Sequence, residues 1–222
     1  MLYFSRACMR PSAETRIRLQ RCLNALPARH PRFKLLLEVL GDIEFQLPQW
    51  DSIDDAVVYC IIGQMLSGSA TRSIIRNLRE HFGDAGEIIV RCSQMAFSEG
   101  PLLGVSQRKR KAFHAWQAFT EKNGNSTGRW ATMPLDRYRR EISEIWGFGR
   151  WSADMIAIFH LGRLDVWPES DAGIKRVCKV VFGTGDSLGI QAYIKGCETA
   201  AALCLWEIIN RNLIAGYLRK LE

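Results

Sequence analysis

Ile145-Trp146-Gly147-Phe148-Gly149-Arg150-Trp151-Ser152-Ala153-Asp154 decides how this chain is read, because it sets a Gly-x-Gly turn between two helical patterns. Apolar residues recur at helical spacing over residues 137–145 before the turn and 152–161 after it. Glycine lets a backbone approach a phosphate closely, since no side chain stands in the way. Amides opening the second helix would then face the anion with the helix dipole behind them. A Gly-x-Gly between helices is also an ordinary tight corner. Its company here, Arg150, Ser152 and a positively charged chain, is what favours phosphate. Such contacts hold a nucleic acid without reading its sequence.

Working outward, the rest of the chain reads as helix after helix. Phe33, Leu36, Leu37 and Leu40 make a short stripe that stops at Gly41. A longer helix opens near Asp51 or Ser52, with Asp54 and Asp55 at its positive end, and runs to Leu66. Another spans 70–82 and stops at Gly83, followed by short pieces as far as Gly104. Residues 107–122 carry Phe113, Trp116 and Phe119 on related faces, and 123–128 form the clearest loop. Pro134 suits the first turn of the helix leading into the hairpin. Beyond Asp171 a helix reaches Phe182, and a final one covers about 199–218 with a possible extended stretch at 164–167 before them. The expected fold class is all-α.

Size and composition agree with one large domain or two small ones: 222 residues, 47% hydrophobic and 24% charged. The net charge of +7 favours a polyanionic partner, either nucleic acid or membrane surface. No apolar run reaches the roughly 18 residues of a transmembrane helix, so nucleic acid is the expected partner and no membrane. Seven cysteines, at 8, 22, 60, 92, 178, 197 and 204, are odd in number and contain no Cys-x-x-Cys pair. They read as small buried hydrophobes in a reducing, intracellular compartment. The first 37 residues hold one acid, Glu14, against seven arginines and Lys34, a bias that also fits an organellar presequence. The apolar stripe of Ile17, Leu19, Cys22, Leu23 and Leu26, with Ser12 as its cap, favours a folded first helix.

Asp171, in Trp167-Pro168-Glu169-Ser170-Asp171-Ala172-Gly173-Ile174, is placed to cap the helix that follows. The same carboxylate, beside a departing base, could stabilise oxocarbenium charge or activate water. Glu169 is the nearest rival acid.

The hairpin and the aspartate behind it resemble the helix-hairpin-helix DNA glycosylase superfamily, over roughly residues 50–210. The resemblance implies a two-lobed helical fold that binds duplex DNA with Gly147, Phe148, Gly149, Arg150 and Ser152, and a catalytic role for Asp171. It also implies a monovalent cation at the carbonyls of Trp146 and Phe148, with no tightly bound metal and no cofactor. No cysteine spacing supports the iron–sulfur cluster found in some members. Position 151 separates the branches, since members that also cut the strand have a lysine nucleophile there. Trp151 cannot form a Schiff base, so the chain looks monofunctional, with water as nucleophile.

Trp151 is similar to the aromatic of the alkylation-repair branch, the DNA-3-methyladenine glycosylase II type. Alkylated purines are cationic, and a tryptophan face favours a cation by about 0.5–2 kcal/mol. Trp206 matches a second pocket aromatic, with Met155 and Gln64 lining the same base pocket between the lobes. Both tryptophans read equally as core. Ile61-Ile62-Gly63-Gln64-Met65-Leu66-Ser67 resembles the branch's insertion loop, with Met65 as the wedge that fills the stack when a base flips out, or else as an adaptable core residue. Gly104-Val-Ser106-Gln-Arg108-Lys109-Arg110-Lys111 looks like a second backbone-binding element through Ser106, Arg108 and Lys109, or a solvated basic face. The Arg-Ser pair of the branch is replaced by Glu198-Thr199, and no N-terminal β-domain has room here.

Taken together these residues imply three segments: N-terminal helices 1–50 packing with the C-terminal lobe, a hairpin-bearing lobe 51–165, and C-terminal helices 166–222. The expected activity is hydrolysis of alkylated purines from duplex DNA by a monomer, in base excision repair. A glycosylase for a deaminated or mismatched base, and a DNA-binding module without turnover, are the other readings.

Overall fold

The periodicity carries through: the computed structural model describes residues 13–45, 47, 50, 52–95, 103–124, 127–183 and 188–221, and thirteen helices lie among them. In chain order the first seven are α1 (Ala13–Arg29), α2 (Pro31–Leu40), α3 (Ile53–Gly63), α4 (Gly68–Phe82), α5 (Ala85–Gln94), α6 (Gln107–Asn123) and α7 (Thr127–Thr132). The others are α8 (Leu135–Ser143), α9 (Arg150–Phe159), α10 (Ala172–Phe182), α11 (Leu188–Ile194), α12 (Glu198–Asn210) and α13 (Ile214–Arg219). They divide into two units, one drawn from Met1–Gln49 and Gly162–Glu222, the other from Trp50–Leu161. Cys8, Ser12, Asp51 and residues 125–126, each of which the sequence reading used, lie outside the described residues.

In the unit 50–161, α3 buries Ala56, Val57, Val58, Cys60, Ile61 and Ile62, which point in all directions around its axis. A helix apolar on every side has to be surrounded, and α4, α5, α6 and α9 surround it. Each fully buried Val or Ile contributes about 1.5–3 kcal/mol, so packing rather than propensity holds this helix of β-branched residues. Ser52 caps it by accepting from the Asp55 amide at 3.0 Å. It ends at Gly63, not at Leu66 as the periodicity suggested, because Leu66 N–H turns back to the Gly63 carbonyl at 3.1 Å. The stretch expected as short pieces contains the ten-residue α5, capped by Asp84 and burying Ile88, Ile89 and Cys92.

The hairpin helices α8 and α9 are joined by two buried polar contacts. Tyr138 donates its hydroxyl to the Ala153 carbonyl at 2.9 Å. Arg139 donates from Nε to Asp154 Oδ1 at 2.7 Å, and Asp154 is wholly buried.

The other unit is organised around α12, whose residues 199–205 are all buried. Helices α1, α2, α10 and α11 pack against it. The single final helix expected from the pattern is two. Asn212 takes a left-handed φ of 55°, which ends α12 and lets α13 start in a new direction. Residues 164–165 form a bend, and 164–167 contain no strand. Thr199 Oγ1 holds that bend, accepting from Val166 N–H at 3.2 Å and lying 3.1 Å from the Arg163 and Val166 carbonyls.

The Arg139–Asp154 pair yields a stability prediction. Truncating one partner strands a buried charge, which costs roughly 3–5 kcal/mol. Asp154→Ala is expected to lower the unfolding free energy by that order in urea titration, and a loss under about 1 kcal/mol would show that the pair does not hold the hairpin.

Candidate nucleic-acid interface and active site

The turn between α8 and α9 is shaped by one glycine and left open by the other. Gly147 has φ +89°, and a Cβ there would stand 2.5 Å from the Cβ of Ala112 on α6. Gly149 has an extended φ of −110°, and a Cβ there would meet nothing within 4 Å. Among the described residues nothing requires glycine at 149; its bareness leaves a clear approach to the start of α9, which has no side-chain cap. Arg150 stands half-exposed beside this helix start, with Nε 3.8 Å from Asp154 Oδ2. Trp146 is 41% exposed, and the Lys111 ammonium lies 4.6 Å from its ring centroid.

Two residues counted with the hairpin contribute differently from what their position suggests. Phe148 is buried, packs on Trp116 with ring centroids 5.7 Å apart, and donates its amide to Ile145 O at 3.0 Å. Ser152 is also buried, its hydroxyl 3.4 Å from Gln64 Nε2. Only backbone atoms of these two can meet a phosphate. Of the turn carbonyls, that of Gly147 accepts from Gln64 Nε2 at 2.8 Å, which leaves its neighbours Trp146 and Phe148 as the ones to consider for a cation.

The expected wedge has a distinctive backbone. Residues 63–66 form a type II turn: Gln64 at φ −55°, ψ 124°, Met65 at φ +62°, closed by Leu66 N–H to Gly63 O. The third position of that turn demands φ above zero and ordinarily holds Gly or Asn. A methionine there costs about 1–2 kcal/mol, and this one is also fully exposed to solvent. Strain and an exposed apolar side chain at one position make it a candidate for contact with a partner. A second strained, exposed residue, Leu103 at φ +48°, precedes α6 and was not singled out from sequence. A Leu before a Gly gives no signal for left-handed backbone.

The basic run at the start of α6 does not act as one face, because successive helical residues point about 100° apart. Ser106 caps the helix from its exposed end, and Arg108 is exposed. Lys109 reaches the Ile62 carbonyl at 2.7 Å, and burial pushes its pKa down. Arg110 is buried, and Lys111 lies over Trp146. Gln64 and Lys109, read from sequence as pocket and phosphate residues, both direct their nitrogens at protein carbonyls.

Trp151 is half-buried at the start of α9; a Cβ on Gly63 would lie 3.8 Å from its ring edge and 3.5 Å from Thr71. Met155, one turn on, is buried.

In the other unit, Asp171 is the N-cap of α10. Its Oδ1 accepts from the Ile174 amide at 2.8 Å and from Trp206 Nε1 at 3.1 Å. Trp206 therefore orients the carboxylate, besides presenting a half-buried ring. Gly173 makes room for the pair: a Cβ there would lie 3.0 Å from Asp171 Oδ1 and 3.3 Å from Ile209. Thr199, which sequence comparison flagged only as a departure, ties down the bend leading to Asp171. Its role follows from a buried hydroxyl among backbone groups, which no sequence pattern announces.

Buried thiols offer no rival nucleophile: burial holds Cys178 and Cys204 up at about 12 and Cys92 at about 11. Among the described residues no cluster of His, Cys, Asp and Glu is grouped to hold a metal ion, and no helix is long and apolar enough to cross a membrane.

The chain matches no family model. It is 29% identical over 163 residues to an alkylbase DNA glycosidase-like protein of Schizosaccharomyces pombe, covering 69% of this chain and 76% of the relative. Its structure is similar to the DNA-3-methyladenine glycosidase of Bacillus halodurans, with TM-score 0.67 and 26% identity over 84% of this chain and 88% of that one. It is also similar to the 3-methyladenine DNA glycosylase of Schizosaccharomyces pombe solved with abasic DNA, with TM-score 0.70 and 20% identity over 84% and 95%. The fold is thus the helical one of those glycosylases, with the hairpin in place.

The two hairpin glycines should separate in a thermal melt. Gly147→Ala adds left-handed strain of about 1–2 kcal/mol and a clash with Ala112 that overpacking data put at about 1–3 kcal/mol. Gly149→Ala adds neither, and its Tm is expected to match the wild type. Equal losses from both would contradict the division of roles.

Proposed function

We infer that the chain is a helix-hairpin-helix DNA glycosylase of the alkylation-repair type, which hydrolyses the N-glycosidic bond of alkylated purines in duplex DNA. The observation that carries the reading is Asp171, held by a helix amide and by Trp206, on the fold of the 3-methyladenine glycosylases. The curated relative, an alkylbase DNA glycosidase-like protein, supports the same class of substrate.

The reaction needs little help with base departure. N-alkylation makes the purine cationic, so the C1′–N bond breaks with its electron pair returning to the base, which leaves neutral. Asp171 stabilises the oxocarbenium charge left at C1′ and orients a water molecule. The water oxygen bonds to C1′ and sheds a proton, giving free base and an abasic site. Trp151 favours the cationic base through its ring face. Because a tryptophan supplies no amine, no Schiff base forms and the strand stays intact.

DNA is held through the bare start of α9 at Gly149 and Arg150, and through Ser106 and Arg108 at α6. The contacts are to phosphate, so affinity falls steeply with salt and is indifferent to sequence. A monovalent cation at the Trp146 and Phe148 carbonyls belongs to this reading, and no step depends on it. Met65 fills the stack vacated by the flipped base. The protein acts as a monomer.

Three outcomes test the proposal. Wild-type protein should release 3-methyladenine and 7-methylguanine from methylated duplex DNA, and Asp171→Asn should reduce release by at least about a thousandfold with unchanged DNA affinity. Near-normal release by Asp171→Asn would remove Asp171 from the chemistry, and release of uracil but no methylpurine would assign another lesion. Borohydride should trap no covalent DNA adduct. Gly149→Ala, folded as the wild type, should bind DNA more weakly, because its methyl blocks the approach to the α9 amides.

A further inference from the structure

The Met65 turn is strained, yet it is held at two points. Gln64, its second residue, donates Nε2 to the Gly147 carbonyl at 2.8 Å. Lys109 donates Nζ to the Ile62 carbonyl at 2.7 Å, one residue before the turn begins. That second bond places a cation at the negative end of α3, where it is charge-assisted. Reaching it withdraws the ammonium from water, which is why burial lowers the lysine's pKa.

The two ties end on segments that are themselves in contact. Gly147 presses on Ala112 of α6, three residues along from Lys109. The end of α3, the hairpin turn and the start of α6 therefore form a closed triangle, with contact along every side. Without the ties, a methionine in left-handed backbone would relax to negative φ and swing its side chain away from its present direction.

We propose that Gln64 and Lys109 are positioning residues that hold the left-handed Met65 turn ready for insertion and couple it to the hairpin and to the start of α6. Neither is then a base-pocket or phosphate residue. The proposal rests on the reading of Met65 as the wedge. It follows that phosphate engagement at the hairpin or at α6 and presentation of the wedge are one mechanical event. A protein sliding on undamaged DNA keeps the wedge aimed as long as its backbone grip is intact.

The test uses a duplex containing a tetrahydrofuran abasic analogue beside 2-aminopurine, whose fluorescence rises on unstacking and needs no turnover. Met65→Ala, Gln64→Ala, Lys109→Met and Lys109→Gln are compared with the wild type, with melts confirming that each is folded. Gln64→Ala and Lys109→Met are expected to lower the insertion equilibrium roughly tenfold, the size of one such hydrogen bond. Their slopes of log affinity against log salt should equal the wild-type slope. Lys109→Gln, which keeps a donor without the charge, should recover part of the signal, and it serves in place of Lys109→Met if that variant fails to fold.

A slope lowered by about 0.9 in Lys109→Met would identify a phosphate contact and overturn the proposal. Wild-type fluorescence in Gln64→Ala and Lys109→Met, with loss in Met65→Ala, would overturn the coupling and leave the wedge. Wild-type fluorescence in Met65→Ala would instead remove the wedge reading on which the coupling rests.

Discussion

A side chain at Gly147 would stand 2.5 Å from the Cβ of Ala112, and the arrangement of the unit 50–161 turns on that closeness. The hairpin can press against α6 only because residue 147 has no Cβ and tolerates φ +89°. Once the two backbones touch, Phe148 drops into the aromatic cluster at Trp116, and Gly149 is left facing outward at the head of α9. Behind the turn, Tyr138 and the buried Arg139–Asp154 pair keep α8 and α9 from sliding past each other. An anion site built from backbone amides needs that rigidity, because it has no side chain to adjust.

The same contact gives the strained turn at Met65 a fixed base. Proteins keep left-handed non-glycine residues only where surrounding structure over-determines them. Here Gln64 and Lys109 supply the surrounding constraint, and the exposed methionine is what the constraint displays. Exposing a large apolar side chain has no benefit for folding. On the proposed function its benefit lies in a partner, and a flexible thioether suits the irregular gap left in a base stack.

Asp171 shows a division of labour of another kind. Its capping of α10 is a structural role that any Asp, Asn, Ser or Thr could fill. The Trp206 hydrogen bond goes further, fixing which way the carboxylate faces, and Gly173 clears the space for it. Thr199 anchors the approach from 163 to 166. Capping was legible from Pro-x-x-Asp followed by a helical pattern. The tryptophan and threonine lie 35 and 28 residues further along the chain, and only the packing of α12 beside that segment brings them there.

Most helices and the chemistry on offer were legible along the chain, because helix periodicity, caps and a Gly-x-Gly corner are local properties of consecutive residues; the end of α3, the helix α5 and the break between α12 and α13 were not. The sequence also settled that position 151 has no amine. Tertiary structure decided where each polar end is spent. The basic run 108–111 read as a backbone-binding element through Ser106, Arg108 and Lys109 or as a solvated face, but helical geometry and neighbouring carbonyls drew Lys109 to Ile62, buried Arg110 and laid Lys111 on Trp146. The same holds for the left-handed backbone at Met65, where residue type gives no warning. That conformation is held by bonds to residues distant in sequence, and a pattern along the chain carries no trace of it.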